Sequence, residues 1–253
     1  MLRALIFDMG GTLEDVFHKP EFNLPCGEAL LSYLEGHGIH FDLSPGDFMN
    51  RLEERYRAYR KWGVEEQREL APFELWSRLL LKDAEYNQDR LRVIADHLAN
   101  LWERNFYRRS LRPEAPAMLQ ALKDQGLCLG VISNTSSHSQ VIEILHQYGI
   151  RHYFNCVYLS VTSGFRKPHA QLFWAAAQDL GVLPEECIYV GDTVSRDVRG
   201  ARLAGYKASI RINSMLTGGA DAGLNQEGEE ADYLIANLNE IPGIVSQIRN
   251  KNT

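Results

Sequence analysis

Residues 5–12 read LIFDMGGT, and this stretch is the starting point for the fold. The apolar run Leu5-Ile6-Phe7 is typical of a buried strand, and it ends abruptly at the carboxylate of Asp8. The glycines that follow predict a turn. Open α/β sheets bind their ligands in the crevice outside the carboxyl ends of the strands. If the rest of the chain is α/β, Asp8 therefore lies where such a sheet binds its ligand.

The second half of the chain alternates helical patterns with short apolar runs. Residues 113–133 read PEAPAMLQALKDQGLCLGVIS, in which a helical pattern ends at glycine and a β-rich run follows. Other helical patterns in this chain also end at glycine. The glycines predicted to end helices are Gly126, Gly149, Gly181 and Gly205. Alternation of this kind predicts βαβ crossovers and a parallel sheet. We therefore predict an α/β fold with a doubly wound, Rossmann-like core.

Residues 15–110 have a different texture, because their apolar residues recur at helical spacing and no convincing strand appears. We predict roughly four helices here, inserted after the first strand. The predicted organisation is an α/β catalytic core made of residues 1–14 and 111–253, with residues 15–110 as a four-helix cap. The large aromatic residues of this insert are assigned to the core of the cap: Trp62, Trp76, Trp102 and Phe106.

Composition restricts the partners. The chain has 27 Lys and Arg against 33 Asp and Glu, a formal net charge of −6, which argues against a general nucleic-acid binder. No apolar run approaches membrane-spanning length, so no membrane partner is predicted. The first strand begins almost at Met1, so we predict no signal peptide. The four scattered cysteines are expected to be reduced thiols in the cytoplasm. The sequence does not indicate an oligomeric state.

Polar residues stand at the ends of several predicted strands. They are Asp8, then Ser133-Asn134-Thr135, then Lys167 before a helix opened by Pro168, and finally Asp192 with Asp197 five residues later. The carboxyl ends of parallel strands share one edge, so these residues are expected to converge. A carboxylate can attack phosphorus to form an aspartyl-phosphate, and Mg²⁺ prefers oxygen ligands. A lysine and a hydroxyl would bind the phosphoryl oxygens.

In order and spacing these residues resemble the four motifs of the haloacid dehalogenase-like superfamily, in its phosphatase type with a helical cap after the first motif. The corresponding stretches are FDMGGTL at 7–13, VISNTS at 131–136, the lysine of RKP at 166–168 and GDTVSRD at 191–197. The resemblance covers the whole chain, since the helical insert lies in the gap where that family carries its cap.

The resemblance implies a Mg²⁺-dependent phosphohydrolase that acts on a small phosphorylated metabolite through an aspartyl-phosphate. Asp8 would be the nucleophile, with Lys167 as the second catalytic residue. The implied metal ligands are Asp8, the carbonyl of Gly10, Asp192 and Asp197. The implied phosphate-binding residues are Gly11, Thr12, Ser133, Asn134 and Lys167.

One position departs from the family motif, which has a second aspartate where this chain has Gly10. That aspartate is the general acid–base for the leaving oxygen, a role that typically contributes about 10²–10⁴-fold. Three interpretations remain open. The substrate has a good leaving group, as in an acyl phosphate; another group substitutes, with Glu14, Asp15 and His18 as candidates; or the protein binds phosphate and metal but barely turns over.

Other residues bear on the related reactions of this superfamily. Phosphonoacetaldehyde hydrolases also have a small residue at this position, but they use a cap lysine, for which Lys61 and Lys82 are the candidates. A phosphomutase would need the missing aspartate. Dehalogenases lack the metal and the GD of the fourth motif, so Asp192 and Asp197 argue against dehalogenation. The basic residues of 51–61 alternate with Glu53 and Glu54, a pattern typical of a solvated helix face.

Overall fold

The first strand, β1 (Ala4–Phe7), lies in the middle of a parallel sheet in the computed structural model, which describes residues 1–215, 221 and 230–250. The other strands of this sheet are β4 (Cys128–Ser133), β5 (Cys156–Leu159), β6 (Cys187–Gly191), β7 (Ala208–Ile212) and β8 (Tyr233–Ile235). The six strands lie in the order β5-β4-β1-β6-β7-β8. The strand order reverses at β1, so the crevice beside its carboxyl end is the expected ligand site.

Helices cover both faces of this sheet. In chain order the helices are α1 (Asn23–Gly36), α2 (Pro45–Glu65), α3 (Pro72–Leu75), α4 (Gln88–Phe106), α5 (Ala115–Asp124), α6 (Gln140–Gln147), α7 (Ser160–Ser163), α8 (Ala170–Asp179), α9 (Arg199–Ala204) and α10 (Ile241–Asn250). Leu5 and Phe7 of β1 pack in a cluster with α5, α6 and α10, whereas Ala4 and Ile6 pack with α8 and α9. The predicted α/β class and doubly wound core are therefore confirmed.

Helix boundaries follow the local signals in the sequence. The four glycines predicted to end helices have φ angles of 65° to 77°, where a Cβ would be strained. At the start of α2, Ser44 accepts a hydrogen bond from the backbone N–H of Asp47 at 3.1 Å, and Pro45 occupies the first helical position. These ends set the lengths of the connections that bring each strand back to the same sheet.

The helical insert has a hydrophobic cluster of its own. Helices α1 to α4, with a π-helical turn at Trp76–Leu80, bury a cluster that includes Leu30, Phe48, Trp76 and Trp102. The assignment of Trp76, Trp102 and Phe106 to this core is confirmed, whereas Trp62 is 38% exposed. The four helices lie within the predicted cap, residues 15–110, whose boundaries stay a prediction.

Two short strands join the insert to the sheet, where we predicted no strand. β2 (Glu14–Phe17) pairs antiparallel with β3 (Arg108–Leu111), so the chain enters and leaves the insert through one two-stranded ribbon. Each strand is only four residues long and its partner lies at the far end of the insert. No local periodicity signals such a pair, because the pairing is stabilised by contacts distant in sequence.

Other sequence predictions fare differently. The four cysteines are free thiols, as expected. Within the described ranges, no helix combines the length and apolarity needed to cross a membrane. Residues 213–231 are rich in Gly and acids, which predicts a long loop, but most of them fall outside the described residues. The stretch DYLIANLNEI at 232–241 predicts a last short strand and a turn into a C-terminal helix, and these correspond to β8 and α10.

Candidate active site

Three aspartates converge at the carboxyl edge of the sheet. Asp8 follows β1, Asp192 follows β6, and Asp197 lies in a π-helical turn at Val194–Val198. One carboxylate oxygen from each lies within 4.8 Å of the others, and all three side chains are buried. The convergence expected of parallel strand ends is therefore present for the aspartates of the first and fourth motifs.

Lys167 lies inside this group of carboxylates. Its Nζ donates to Asp8 Oδ1 at 2.6 Å and to Asp197 Oδ1 at 2.7 Å, and it also contacts the hydroxyl of Tyr189 at 3.0 Å. Only 4% of the residue is exposed. A buried ammonium is tolerated when it is paired and fully hydrogen-bonded, which is the case here. Burial lowers the pKa of Lys167, but Asp197 and Asp8 outweigh burial, so the pKa is raised and the side chain stays charged.

The cluster carries more negative than positive charge. Burial, together with the charges of Asp197 and Asp8, raises the pKa of Asp192 to about 7. Burial also raises the pKa of Asp8, although Lys167 acts against it. Three buried carboxylates beside one lysine are the oxygen donors and the charge that a hard divalent cation requires. The residues present therefore fit Mg²⁺.

The two glycines of the first motif have different surroundings. Gly11 has a φ of +90°, and a Cβ on it would lie 2.3 Å from Asp192 Oδ2, so the turn passes too close to Asp192 for any side chain. A Cβ on Gly10 would meet nothing nearer than Val16 Cγ2 at 3.4 Å, with Arg109 Nη1 at 3.7 Å and Glu14 Oε1 at 3.9 Å. The fold thus has room for a Cβ at residue 10, the position where the family motif has an aspartate.

The predicted phosphate-binding residues occupy two positions. Ser133, at the end of β4, and Asn134 line a cavity between this edge of the sheet and the helical insert. Asn134 also exchanges hydrogen bonds with the backbone of Lys167, at 2.9 and 3.3 Å, and so holds the lysine segment in place. Thr12 donates to Asp8 Oδ2 at 3.4 Å, and Gly11 lies against Asp192. The roles of these four residues in phosphate binding stay predictions.

A cavity of about 350 Å³ separates this edge of the sheet from the helical insert. Its sheet side includes Asp8, Ser133, Lys167 and Arg196, and its remaining wall includes Tyr56, Arg60, Glu103, Tyr107 and Arg109. Sequence reasoning placed none of the second set at the site, and it assigned Arg60 to a solvated helix face. Arg196, on the sheet side, is not among the predicted site residues either, although it lies within the fourth motif, between Asp192 and Asp197.

A buried acid–base–acid triad, Glu14–Arg109–Glu103, stands beside Gly10. Arg109 donates from Nη1 to Glu14 Oε1 at 2.6 Å and from Nη2 to Glu103 Oε2 at 2.8 Å. The hydroxyl of Tyr148 donates to Glu14 Oε2 at 2.8 Å. Glu14 is fully buried, and its burial raises its pKa. Both carboxylates thus share one guanidinium at the junction between insert and core.

The three residues suggested as substitutes for the missing acid do not line the cavity. Glu14 lies behind Arg109 in the triad. The side chain of Asp15 is 52% exposed and pairs with Arg112 at 3.1 Å. The ring of His18 stacks on Phe106 at 3.9 Å. These positions favour structural roles at the junction for all three.

A second buried network connects the insert with the loops that carry Ser133 and Lys167. Glu69, from the insert, accepts a hydrogen bond from the Ser160 hydroxyl at 2.7 Å and pairs with Arg166, the residue before Lys167. Ser160 Oγ in turn accepts from the backbone N–H of Thr135 at 2.9 Å. One carboxylate of the insert therefore braces both the Ser133 loop and the Lys167 loop.

Similarity to known proteins identifies the family. The sequence profile of the haloacid dehalogenase-like hydrolases matches residues 2–205. The chain belongs to this family of hydrolases. A glyceraldehyde 3-phosphate phosphatase from Methanopyrus kandleri is 31% identical over 212 residues, 84% of each chain. A phosphoserine phosphatase from Thermus thermophilus is 38% identical over 149 residues, 58% of this chain and 56% of the relative.

The fold is shared with enzymes of other activities. A solved 2-haloacid dehalogenase from Pseudomonas syringae superposes with a TM-score of 0.66 at 22% identity, covering 98% of this chain and 100% of that one. This likeness shows the fold alone. The resemblance seen in the sequence is confirmed, and so is the prediction of an enzyme of the phosphatase type, since the similar curated relatives are phosphatases.

Proposed function

We propose that the protein is a Mg²⁺-dependent phosphatase that hydrolyses a small phosphorylated metabolite through an aspartyl-phosphate on Asp8. The observation that carries this proposal is the position of Lys167, whose Nζ lies 2.6 Å from Asp8 and 2.7 Å from Asp197. A nucleophile, a fixed cation and surplus carboxylates at one strand edge suit phosphoryl transfer. The relatives named for glyceraldehyde 3-phosphate and phosphoserine support a small substrate.

Each residue has a distinct part in this reaction. Asp8 would attack phosphorus, the bond to the leaving oxygen would break, and water would then hydrolyse the aspartyl-phosphate. Lys167 and the Ser133 hydroxyl would hold the phosphoryl oxygens as charge develops on them. Mg²⁺ bound by Asp8, Asp192, Asp197 and the Gly10 carbonyl would neutralise part of that charge.

The cavity supports an anionic substrate of limited size. Its volume of about 350 Å³ is near the lower end for small-molecule sites. Besides Lys167, its lining includes four arginines, of which Arg109 and Arg166 are paired with buried carboxylates. Arg60 makes no ion pair among the described residues and contacts Tyr107. We propose that Arg60 faces the leaving group of the substrate.

The surroundings of the cap lysines favour phosphate ester hydrolysis over the phosphonoacetaldehyde-type reaction. Lys61 is 79% exposed at the cap surface and pairs with Glu65, whereas Lys82 lines a separate cavity. In the part of the chain that the structure describes, Lys167 is the lysine that lines the active-site cavity. A Schiff base on the cap would therefore have no lysine in reach.

Phosphate release tests the proposal. Acetyl phosphate, 4-nitrophenyl phosphate and a panel of sugar phosphates would be assayed with Mg²⁺ and with EDTA, for the native protein and for Asp8→Asn. We expect metal-dependent turnover that falls by at least about 10⁴-fold in the variant, the scale seen when a nucleophile is removed. Turnover that survives Asp8→Asn would contradict the proposal. Absence of turnover despite measurable Mg²⁺ binding would favour the alternative, a phosphate- and metal-binding module.

A further inference from the structure

We propose that Glu103, on the cap side of the cavity, is the acid–base group for the leaving oxygen that the first motif lacks at Gly10. This inference rests on the proposed phosphatase function and deepens it. It explains how a chain without the second aspartate retains a proton donor. It also makes a cap residue part of the catalytic machinery.

The first argument is position. Among the described residues that line the cavity, the carboxylates are Asp8 and Glu103. Glu103 Oε2 lies 2.8 Å from Arg109 Nη2, and Nη1 of the same guanidinium lies 3.7 Å from where a Cβ on Gly10 would stand. A single guanidinium therefore separates Glu103 from the side-chain position that is vacant at Gly10.

The second argument is charge. The triad has two carboxylates and one guanidinium, so it carries one excess negative charge in a buried place. Both oxygens of Glu14 are engaged, by Arg109 and Tyr148, whereas the described hydrogen bonds of Glu103 involve Oε2 only. Within the described part of the chain, Oε1 of Glu103 is therefore the carboxylate oxygen of the triad that is left to contact a substrate.

Other ionisable groups also surround Glu103. The charge of Glu103 acts on Tyr56 of α2, on Tyr107 beside β3, and on Glu69 of the loop before α3. Burial raises the pKa of each of these three groups, and the Glu103 charge raises it further. The two phenols thus remain protonated near neutral pH, and they do not compete with Glu103 as a base.

The proposed step balances. As Asp8 Oδ bonds to phosphorus and the phosphorus–oxygen ester bond breaks, protonated Glu103 gives its proton to the leaving oxygen, which departs as an alcohol. The carboxylate of Glu103 then takes a proton from the water that attacks the aspartyl-phosphate. The bond between phosphorus and Asp8 breaks, inorganic phosphate is released, and Glu103 is again protonated.

The test compares leaving groups. Glu103→Gln and Glu14→Gln would be assayed with an alkyl phosphate, glycerol 3-phosphate, and with 4-nitrophenyl phosphate, whose leaving oxygen needs little protonation. We expect Glu103→Gln to lower kcat for the alkyl ester by about 10²–10⁴-fold and to change the aryl ester by only a few-fold. Glu14→Gln alters the same triad at a residue that does not line the cavity, so it is expected to change kcat for both esters alike.

A second pair of variants keeps the test decisive. Gly10→Asp restores the family's carboxylate, so Gly10→Asp/Glu103→Gln is expected to recover much of the alkyl ester activity that Glu103→Gln loses. If Glu103→Gln fails to fold, Glu103→Asp keeps the charge beside Arg109 but withdraws the carboxyl, and the same selective loss is expected.

The outcomes separate the two proposals. Equal losses on both esters in the Glu103 variants, or no loss on either, would overturn the role of Glu103 while Asp8-dependent aryl turnover still supports the phosphatase. Absence of Asp8-dependent turnover with either ester would overturn both. If Glu14→Gln lost alkyl ester activity more selectively than Glu103→Gln does, Glu14 would be the proton donor, and the inference would also be overturned.

Discussion

The two walls of the active-site cavity are built in different ways. On the sheet wall, Asp8 and Lys167 project from strand ends and loops that the core fixes, and both are almost fully buried and paired. On the cap wall, Arg60 is exposed on α2 and makes no ion pair in the described part of the chain. The difference shows that the core holds the groups proposed to react in fixed positions, whereas the position of Arg60, which we propose contacts the leaving group, depends on where the cap lies.

The largest effect is expected on the sheet wall, from Lys167→Met. Loss of the ammonium leaves the buried carboxylates of Asp8 and Asp197 without the cation that pairs with both, and breaking a buried pair costs about 3–5 kcal/mol of unfolding free energy. Activity is expected to fall by at least about 10²–10³-fold, as when a charge-stabilising donor is removed. Urea unfolding in EDTA and in Mg²⁺ measures the first effect, and phosphate release measures the second.

Lys61→Met is the matched control, because Lys61 lies on the cap surface with its side chain 79% exposed. Its effect on stability is expected to stay within about 0.5 kcal/mol. A loss of activity comparable to that of Lys167→Met would contradict the difference between the walls and would favour a catalytic cap lysine.

The next effect concerns pH without metal. Asp192 has a pKa of about 7 in the folded protein against an ordinary value of 3.8, so the folded state binds its proton more tightly than the unfolded state does. Stability in EDTA should therefore be greatest below about pH 4 as far as this group is concerned. It should decline by a few kcal/mol, to order of magnitude, as the pH rises to about 7.

Mg²⁺ should oppose this decline, because binding requires deprotonated carboxylates and strengthens as they ionise. Thermal unfolding measured from pH 5 to pH 8, with and without Mg²⁺, checks the trend. Asp192→Asn removes the titrating group and is the control, since its metal-free stability should depend less on pH. Identical pH profiles for the native protein and this variant would contradict the assignment.

The smallest effect is expected on the cap wall, from Arg60→Gln. We expect KM to rise by about tenfold, or 1.4 kcal/mol, for substrates whose leaving part is anionic, with kcat nearly unchanged. Steady-state kinetics with 3-phosphoglycerate and glycerol 3-phosphate, which differ by a carboxylate, measure this change. Arg57→Gln, on the exposed face of the same helix, is the control. An equal change in KM for both substrates would show that Arg60 does not recognise the carboxylate of the leaving group.

The difference between the two walls explains which cavity residues could be predicted from the sequence. Asp8, Ser133, Lys167 and Asp192 could be placed together because parallel strands end at one edge of a sheet, so order along the chain implies proximity. Nothing comparable applies to Glu103. It lies on the amphipathic helix α4, and helical periodicity shows which residues face the cap core but not where the cap meets the core domain.

The two joining strands were missed for a related physical reason. β2 and β3 are stabilised by pairing with each other across the whole insert, and neither has an apolar alternation of its own. Because the ribbon was not foreseen, neither was the position of Arg109. This residue of β3 occupies the neighbourhood of Gly10 although nearly a hundred residues separate them in the chain.

The Glu69 network has a kinetic meaning. Glu69 belongs to the insert, yet its carboxylate braces Ser160 and Arg166, which support the loops that carry Ser133 and Lys167. Any movement that lifts the insert away must first break a buried ion pair and release those loops. Separation of the insert from the core and release of the loops that carry Ser133 and Lys167 are therefore expected to occur together, and under the proposed function this would couple product release to the entry of the next substrate.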